Sequence, residues 1–139
     1  MRILFALSVL ALLAGCAGAR VDDPTLQDAA VLPVLCHTRE DCTEKLARAR
    51  TWIAAHTSRP IQAEGAALST AKPTAADPRP GFTISLRDRT DGAYAFAFEA
   101  DCYRGCNPSE EALQGDFNIY LSATNPRPLT PLPPPPGAK

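Results

Sequence analysis

The chain has 139 residues with 14 Lys and Arg against 15 Asp and Glu, so it carries no basic field of the kind that binds nucleic acid. Its 45% apolar and 21% charged residues are ordinary globular composition, but 14 prolines and many alanines mark segments outside any packed core. Roughly 85 to 90 residues remain for one domain, and a core of that size gains from crosslinks.

Arg2 is the only charge ahead of the apolar run Ile3 to Leu13. The run is too short to cross about 30 Å of hydrocarbon, which takes a helix of roughly 20 residues, and it reads as a secretory signal core over residues 1–15. It ends in Leu13-Ala14-Gly15-Cys16. Small side chains at 14 and 15 suit an extended backbone in a peptidase cleft, and the Cys16 thiol can carry a lipid. An ordinary cleavage site, such as one near Ala17 or Ala19, needs no cysteine. The segment resembles the lipobox of bacterial lipoproteins. That resemblance implies cleavage between Gly15 and Cys16, a diacylglyceryl thioether on Cys16 and an acyl group on its amine. The lipid bilayer is then a partner through acylated Cys16: one chain binds marginally at about 0.8 kcal/mol per buried methylene, and several anchor durably. Ala17 rather than Asp follows the cysteine, and by analogy with enterobacterial sorting this implies the periplasmic face of the outer membrane.

If Cys16 is lipidated, Cys36, Cys42, Cys102 and Cys106 remain, an even set in a compartment that permits disulfides. Three pairings are open. A long loop such as Cys36 to Cys102 would be worth about 4 kcal/mol and each short loop about 2 in the chain-entropy model. Local structure favours the sequential pairing, Cys36 with Cys42 and Cys102 with Cys106, because the first pair flanks a helix start and the second brackets a turn.

Residues 16–35 hold small, acidic and apolar residues without a period, broken by Pro24 and Pro33, and read as a lipidated N-terminus and tether. A globular domain is expected over 36–123. Thr38 begins a helix, with Glu40 and Asp41 in its first turn and no Gly or Pro before Ser58. Thr38-Arg39-Glu40-Asp41 approximates a capping box. Cys42, Leu46, Ala49 and Ile53 form its buried stripe with Trp52 beside them as the largest core residue, while Lys45, Arg48 and Arg50 fall off it.

Pro60 to Thr70 reads as one strand with a bulge at Gly65. Ala71 to Gly81 is a proline-rich loop. Phe82 to Arg87 and Ala93 to Ala100 alternate cleanly around Asp91-Gly92, which predicts an antiparallel hairpin with Phe82, Ile84, Leu86, Tyr94, Phe96 and Phe98 on the core face. Asn107-Pro108-Ser109-Glu110 is a helix start with Asn107 as cap, followed by Leu113, Phe117, Tyr120 and Leu121 facing the sheet, although Gly115 and Asp116 could end it early. Residues 124–139 read as a proline-rich, disordered tail. The expected fold is a small single α+β domain in the order helix-strand-strand-strand-helix, a three-stranded antiparallel sheet with helices packed on one face.

No residue is assigned a catalytic role, and neither a metal nor a cofactor is expected. The spacings of the four cysteines miss the usual zinc knuckles, with His37 the only histidine beside them. His56 fits a helix C-terminus, where it complements the dipole. Glu99 and Asp101 share one side of the last strand, a spacing seen in acid and base pairs but also on any solvated strand face.

The helix start at Cys36 to Cys42, Trp52-Ile53, and the Cys102 to Cys106 turn followed by Phe117-Asn118-Ile119-Tyr120 resemble a group of small uncharacterised proteobacterial lipoproteins over about residues 36 to 121. The resemblance implies a fold and a location, with no activity to transfer. The leading expectation is a non-enzymatic membrane-anchored envelope lipoprotein that binds another envelope protein, of unknown identity, with an inhibitor or immunity role as a sharper version. The alternatives are an enzyme acting on cell wall or lipid, and a structural spacer that uses the proline tail.

Overall fold

The computed structural model describes residues 24–133. The order is α1 (Pro24–Val31), β1 (Leu35–Cys36), α2 (Arg39–His56), β2 (Gln62–Glu64), β3 (Ala67–Ser69), β4 (Gly81–Asp88), β5 (Tyr94–Asp101) and α3 (Glu110–Ser122). The α+β class is as expected. The sheet has five strands rather than three, in the order β1-β5-β4-β3-β2, with every neighbour antiparallel.

The two extra strands have separate origins. The stretch read as one bulged strand over Pro60 to Thr70 is a hairpin: β2 and β3 pair Gln62 with Ser69 and Glu64 with Ala67. Gly65, with φ of 56°, supplies the positive torsion of its two-residue turn. β1 comes from the end of the segment read as a tether, pairing Leu35 with Ala95 and Cys36 with Tyr94, and Phe96 N donates to Val34 O at 2.9 Å. Its two residues carry too little pattern to announce a strand.

The helix over Arg39–His56 matches its sequence signals. The Thr38 side chain accepts from Asp41 N at 3.1 Å, and Asp41 Oδ2 accepts in return from His37 N at 3.2 Å. The reciprocal bond thus reaches one residue further back than in a standard capping box. Cys42, Ala49, Trp52 and Ile53 are buried, with Leu46 packed beside them. Trp52 is fully buried and meets Phe82, Phe98 and Phe117 edge-on at ring-centroid distances of 5.1, 5.8 and 5.4 Å. Such edge-to-face contacts add about 0.5–1.5 kcal/mol each beyond area burial, so the core is centred on this one indole.

β4 and β5 form the expected hairpin, with Ile84 opposite Phe98 and Leu86 opposite Phe96. Phe82, Ile84, Phe96 and Phe98 are buried beneath α2 and α3. Tyr94 departs from the expectation: it shares their parity but is exposed, because it begins β5 at the end of the sheet. The opposite sheet face carries Thr83, Ser85, Arg87, Ala95, Ala97 and Glu99.

α3 begins two residues later than the sequence signals place it. Ser109, not Asn107, is the cap and accepts from Ala112 N at 3.2 Å; the Asn107–Pro108 peptide is cis. Leu113, Phe117, Tyr120 and Leu121 are buried as expected, and the helix continues through Gly115 and Asp116.

Within the described residues, part of each segment read as tether or tail joins the body, and residues 16–23 and 134–139 lie outside the described residues. Residues 24–31 form α1, which lies against α3 at Gly115, and Asn118 Nδ2 donates to Ala29 O at 2.9 Å and Leu32 O at 3.0 Å. α1 meets that glycine through the backbone of Leu26, so the contact leaves no strong apolar period in the sequence. The start of the proline-rich tail is bound to the body rather than disordered: Leu129 packs against the core, Arg127 Nη2 contacts Asp116 Oδ1 at 2.6 Å, and Leu132 N donates to Ala54 O at 2.8 Å. That last bond satisfies one of the free carbonyls at the end of α2, while Arg48 Nη1 donates to Leu121 O and Ala123 O at the end of α3.

Candidate functional site

The candidate site is a groove of about 550 Å³ between the first turns of α2 and the turn end of the β4–β5 hairpin. The chain enters it at His37 and Thr38, directly after Cys36 has paired with β5. The Cys36–Cys42 disulfide, with its sulfurs 2.03 Å apart, then ties β1 to the first turn of α2. Lys45 completes the brace, donating to Leu35 O at 2.7 Å and pairing with Asp41 at 2.8 Å. The Lys45 hydrogen bond holds the Asp41 carboxyl below its ordinary value, aided by the His37 backbone N–H and opposed by partial burial.

Leu46 and Cys42 on α2, Leu86 on β4 and Tyr94 on β5 give the groove its apolar lining. Arg39 and Asp88 stand at its rim, with Ala66 of the β2–β3 turn closing one end. Tyr94 is 41% exposed and pairs across the sheet with Cys36, so the two side chains leave the same face of the sheet. A large amphipathic ring over an apolar floor, with charge only at the margin, has the make-up of a protein contact site. The threonine hydroxyls present are committed to helix backbone: Thr38 Oγ1 accepts from Asp41 N, and Thr43 Oγ1 donates to Arg39 O at 2.8 Å.

The residues singled out in the sequence separate into distant places. Gly15 and Cys16 lie outside the described residues. Cys36 and Cys42 support the groove, whereas Cys102 and Cys106, also disulfide-bonded, follow the far end of β5. Arg104 and Gly105, both with positive φ, shape that second loop. His37 lines the groove, but His56 stands at the opposite end of α2, so the two histidines do not meet. Glu99 and Asp101 lie on the open sheet face, where they face Arg87 and Lys72, each at 3.8 Å. Among the described residues no group of three or more His, Cys, Asp or Glu side chains is placed to hold a metal ion, and no helix is long and apolar enough to cross a membrane.

A second polar cluster was not anticipated. Asp116 Oδ2 accepts from Trp52 Nε1 at 2.7 Å and lies 3.7 Å from His56 Nε2, while its other oxygen meets Arg127. The His56 ring stacks on Trp52 with centroids 3.8 Å apart, and its Nδ1 is 2.8 Å from Trp52 O. A carbonyl only accepts, so Nδ1 carries the proton. The available signal was Asp116 itself, an acid three residues after Leu113 on the same helical face as Phe117 and Tyr120. Tyr94, Leu86 and Asp88 gave no such signal as groove residues, since alternation assigns a face but not the extent of helix cover. Compared with known proteins, the chain matches no family model, no curated protein and no solved structure.

Proposed function

We propose that this protein is a non-enzymatic, lipid-anchored envelope lipoprotein whose groove binds a segment of another envelope protein. The observation that carries the reading is the groove itself: exposed Tyr94 with Leu46 and Leu86, braced by the Cys36–Cys42 disulfide and edged by Arg39 and Asp88. Rigid aromatic anchors over a desolvated floor supply most of the energy at protein contacts, and the brace lowers the ordering cost of binding. The partner segment has an apolar side chain for the floor and polar groups for the rim. In this reading the Cys16 lipid, at the periplasmic face of the outer membrane, holds the groove near its partner, and an inhibitor or immunity role is its sharper form. The committed threonine hydroxyls and the separation of His37, His56, Glu99 and Asp101 favour binding over catalysis.

Site-specific photocrosslinking in intact cells tests this. A benzophenone side chain at position 94 is expected to capture a defined envelope protein, capture that the companion change Leu46→Asp abolishes. The same probe at position 99 on the open sheet face is expected to capture none of it. Equal capture from both positions, or none from position 94, would sink the proposal.

A further inference from the structure

We infer that Val31, Leu32 and Ile119 form the surface on which the domain rests against the lipid bilayer, an inference that builds on the anchored reading above. Val31 is 78% exposed, Leu32 72% and Ile119 44%. Isolated apolar residues on a surface need no explanation, but these three flank one junction, the end of α1 where it is bonded to α3. Asn118, the neighbour of Ile119, donates to the carbonyls of Ala29 and Leu32 and so fixes the end of α1 beside that part of α3. Gly115 sets the depth of the contact, since its α-carbon faces the Leu26 backbone with no room for a methyl group between them. The apolar residues at the end of α1 are therefore held in place by buried contacts.

The bilayer is the occupant that chain length supports. Eight residues lead from Cys16 to Pro24, and a chain reaches at most about 3.6 Å per residue, so α1 starts within roughly 29 Å of a lipid on Cys16. Its eight residues add about 12 Å. The patch cannot travel far from the membrane, and apolar side chains near the headgroup boundary settle about 5–10 Å into it. Asp28 is the one charged residue of α1, so this contact is apolar in origin and insensitive to salt.

The test uses the full lipidated chain in vesicles of phosphatidylethanolamine and phosphatidylglycerol, with an environment-sensitive nitrobenzoxadiazole dye on Leu32→Cys or Ile119→Cys, and on Glu99→Cys for comparison. At positions 32 and 119 the dye is expected to brighten severalfold and shift to the blue, to be quenched by doxyl groups on the lipid chains, and to stay so in high salt. At position 99 it should report water. If mass spectrometry finds lipid on Cys16 but positions 32 and 119 also report water, the bilayer contact alone is overturned. A chain without lipid on Cys16 overturns the anchored reading and this inference with it. Brightening that persists in detergent micelles and rises with protein concentration assigns the patch to a second copy and overturns the bilayer contact.

Discussion

The indole N–H of Trp52 donates to Asp116 Oδ2 at 2.7 Å, so the centre of the core is joined to α3 through a carboxylate. The other Asp116 oxygen binds Arg127 on the strap that follows α3. One acid thus links α2, α3 and the chain beyond them.

Asp116→Leu strands a buried donor, which costs about 1–3 kcal/mol. Asp116→Asn keeps an acceptor for Trp52 but loses the Arg127 pair, an interaction with one exposed partner worth about 0–1 kcal/mol. Urea unfolding with both disulfides intact should rank the variants in that order. Equal losses would mean that the indole bond contributes nothing.

Gly115 is the position most sensitive to a single methyl group. A Cβ there would lie 1.8 Å from Leu26 O, a backbone atom that cannot swing aside. Gly115→Ala is expected to expel α1 from α3 while the sheet and α2 stay folded. Overpacking of this kind costs about 1–3 kcal/mol, and undocking α1 relieves it. Hydrogen exchange should show protection lost at 24–32 and retained around Trp52.

This position also shows where the sequence was readable. Alternation in β4 and β5 and the 3.6-residue period of α2 and α3 reported the elements that bury large side chains, and the Thr38 cap reported its helix. α1 docks through the Leu26 backbone on a glycine and the Ala29 carbonyl on Asn118, and β1 is two residues long. Both depend on partners distant in sequence. Of the groove lining, Cys42 and Leu46 were legible only as part of a buried helix stripe, whereas the exposure of Tyr94 depends on how far α2 covers the sheet.

The two disulfides should differ when removed. Each closes a short loop worth about 2 kcal/mol in the chain-entropy model. Cys36 is fully buried and ties β1 to α2, while Cys102 and Cys106 are half-buried. Replacing Cys36 and Cys42 together by alanine adds lost packing to lost constraint, so it should cost more than the same change at Cys102 and Cys106. Only the first pair should also reduce capture through position 94.

Asp77 organises the loop between β3 and β4. Its carboxylate accepts from Arg79 Nε at 2.8 Å and faces Arg59 at 3.4 Å, and Arg59 also donates to the carbonyls of Asp77, Arg79 and Pro80. The Arg79 hydrogen bond holds this carboxyl below its ordinary value of 3.8, against an opposing push from partial burial. A folded-state pKa below the unfolded one stabilises above the unfolded value and is lost as pH falls through the folded value. The stability gap between the native chain and Asp77→Asn should therefore be full at neutral pH and close below about pH 3.8. A gap unchanged down to pH 2 would exclude the ionised carboxylate as its source.

The strap after α3 closes the end of α2. Thr57 N donates to Ile53 O at 2.9 Å, and Leu132 N takes the next carbonyl, Ala54 O, at 2.8 Å. Leu129 packs on the core between Arg127 and that bond. Leu132→Pro removes the donor and leaves the helix end to water, a loss of about 0.5–1.5 kcal/mol for one backbone hydrogen bond. Leu129→Ala removes part-buried apolar surface and should cost about 1–2 kcal/mol. Both should loosen the strap, so protease cleavage near residue 127 should quicken while the β4–β5 hairpin stays protected. If the strap were a solvated spacer, neither substitution would alter unfolding or cleavage. A measurable loss in both assays assigns the strap, from Arg127 to Leu132, to the folded domain.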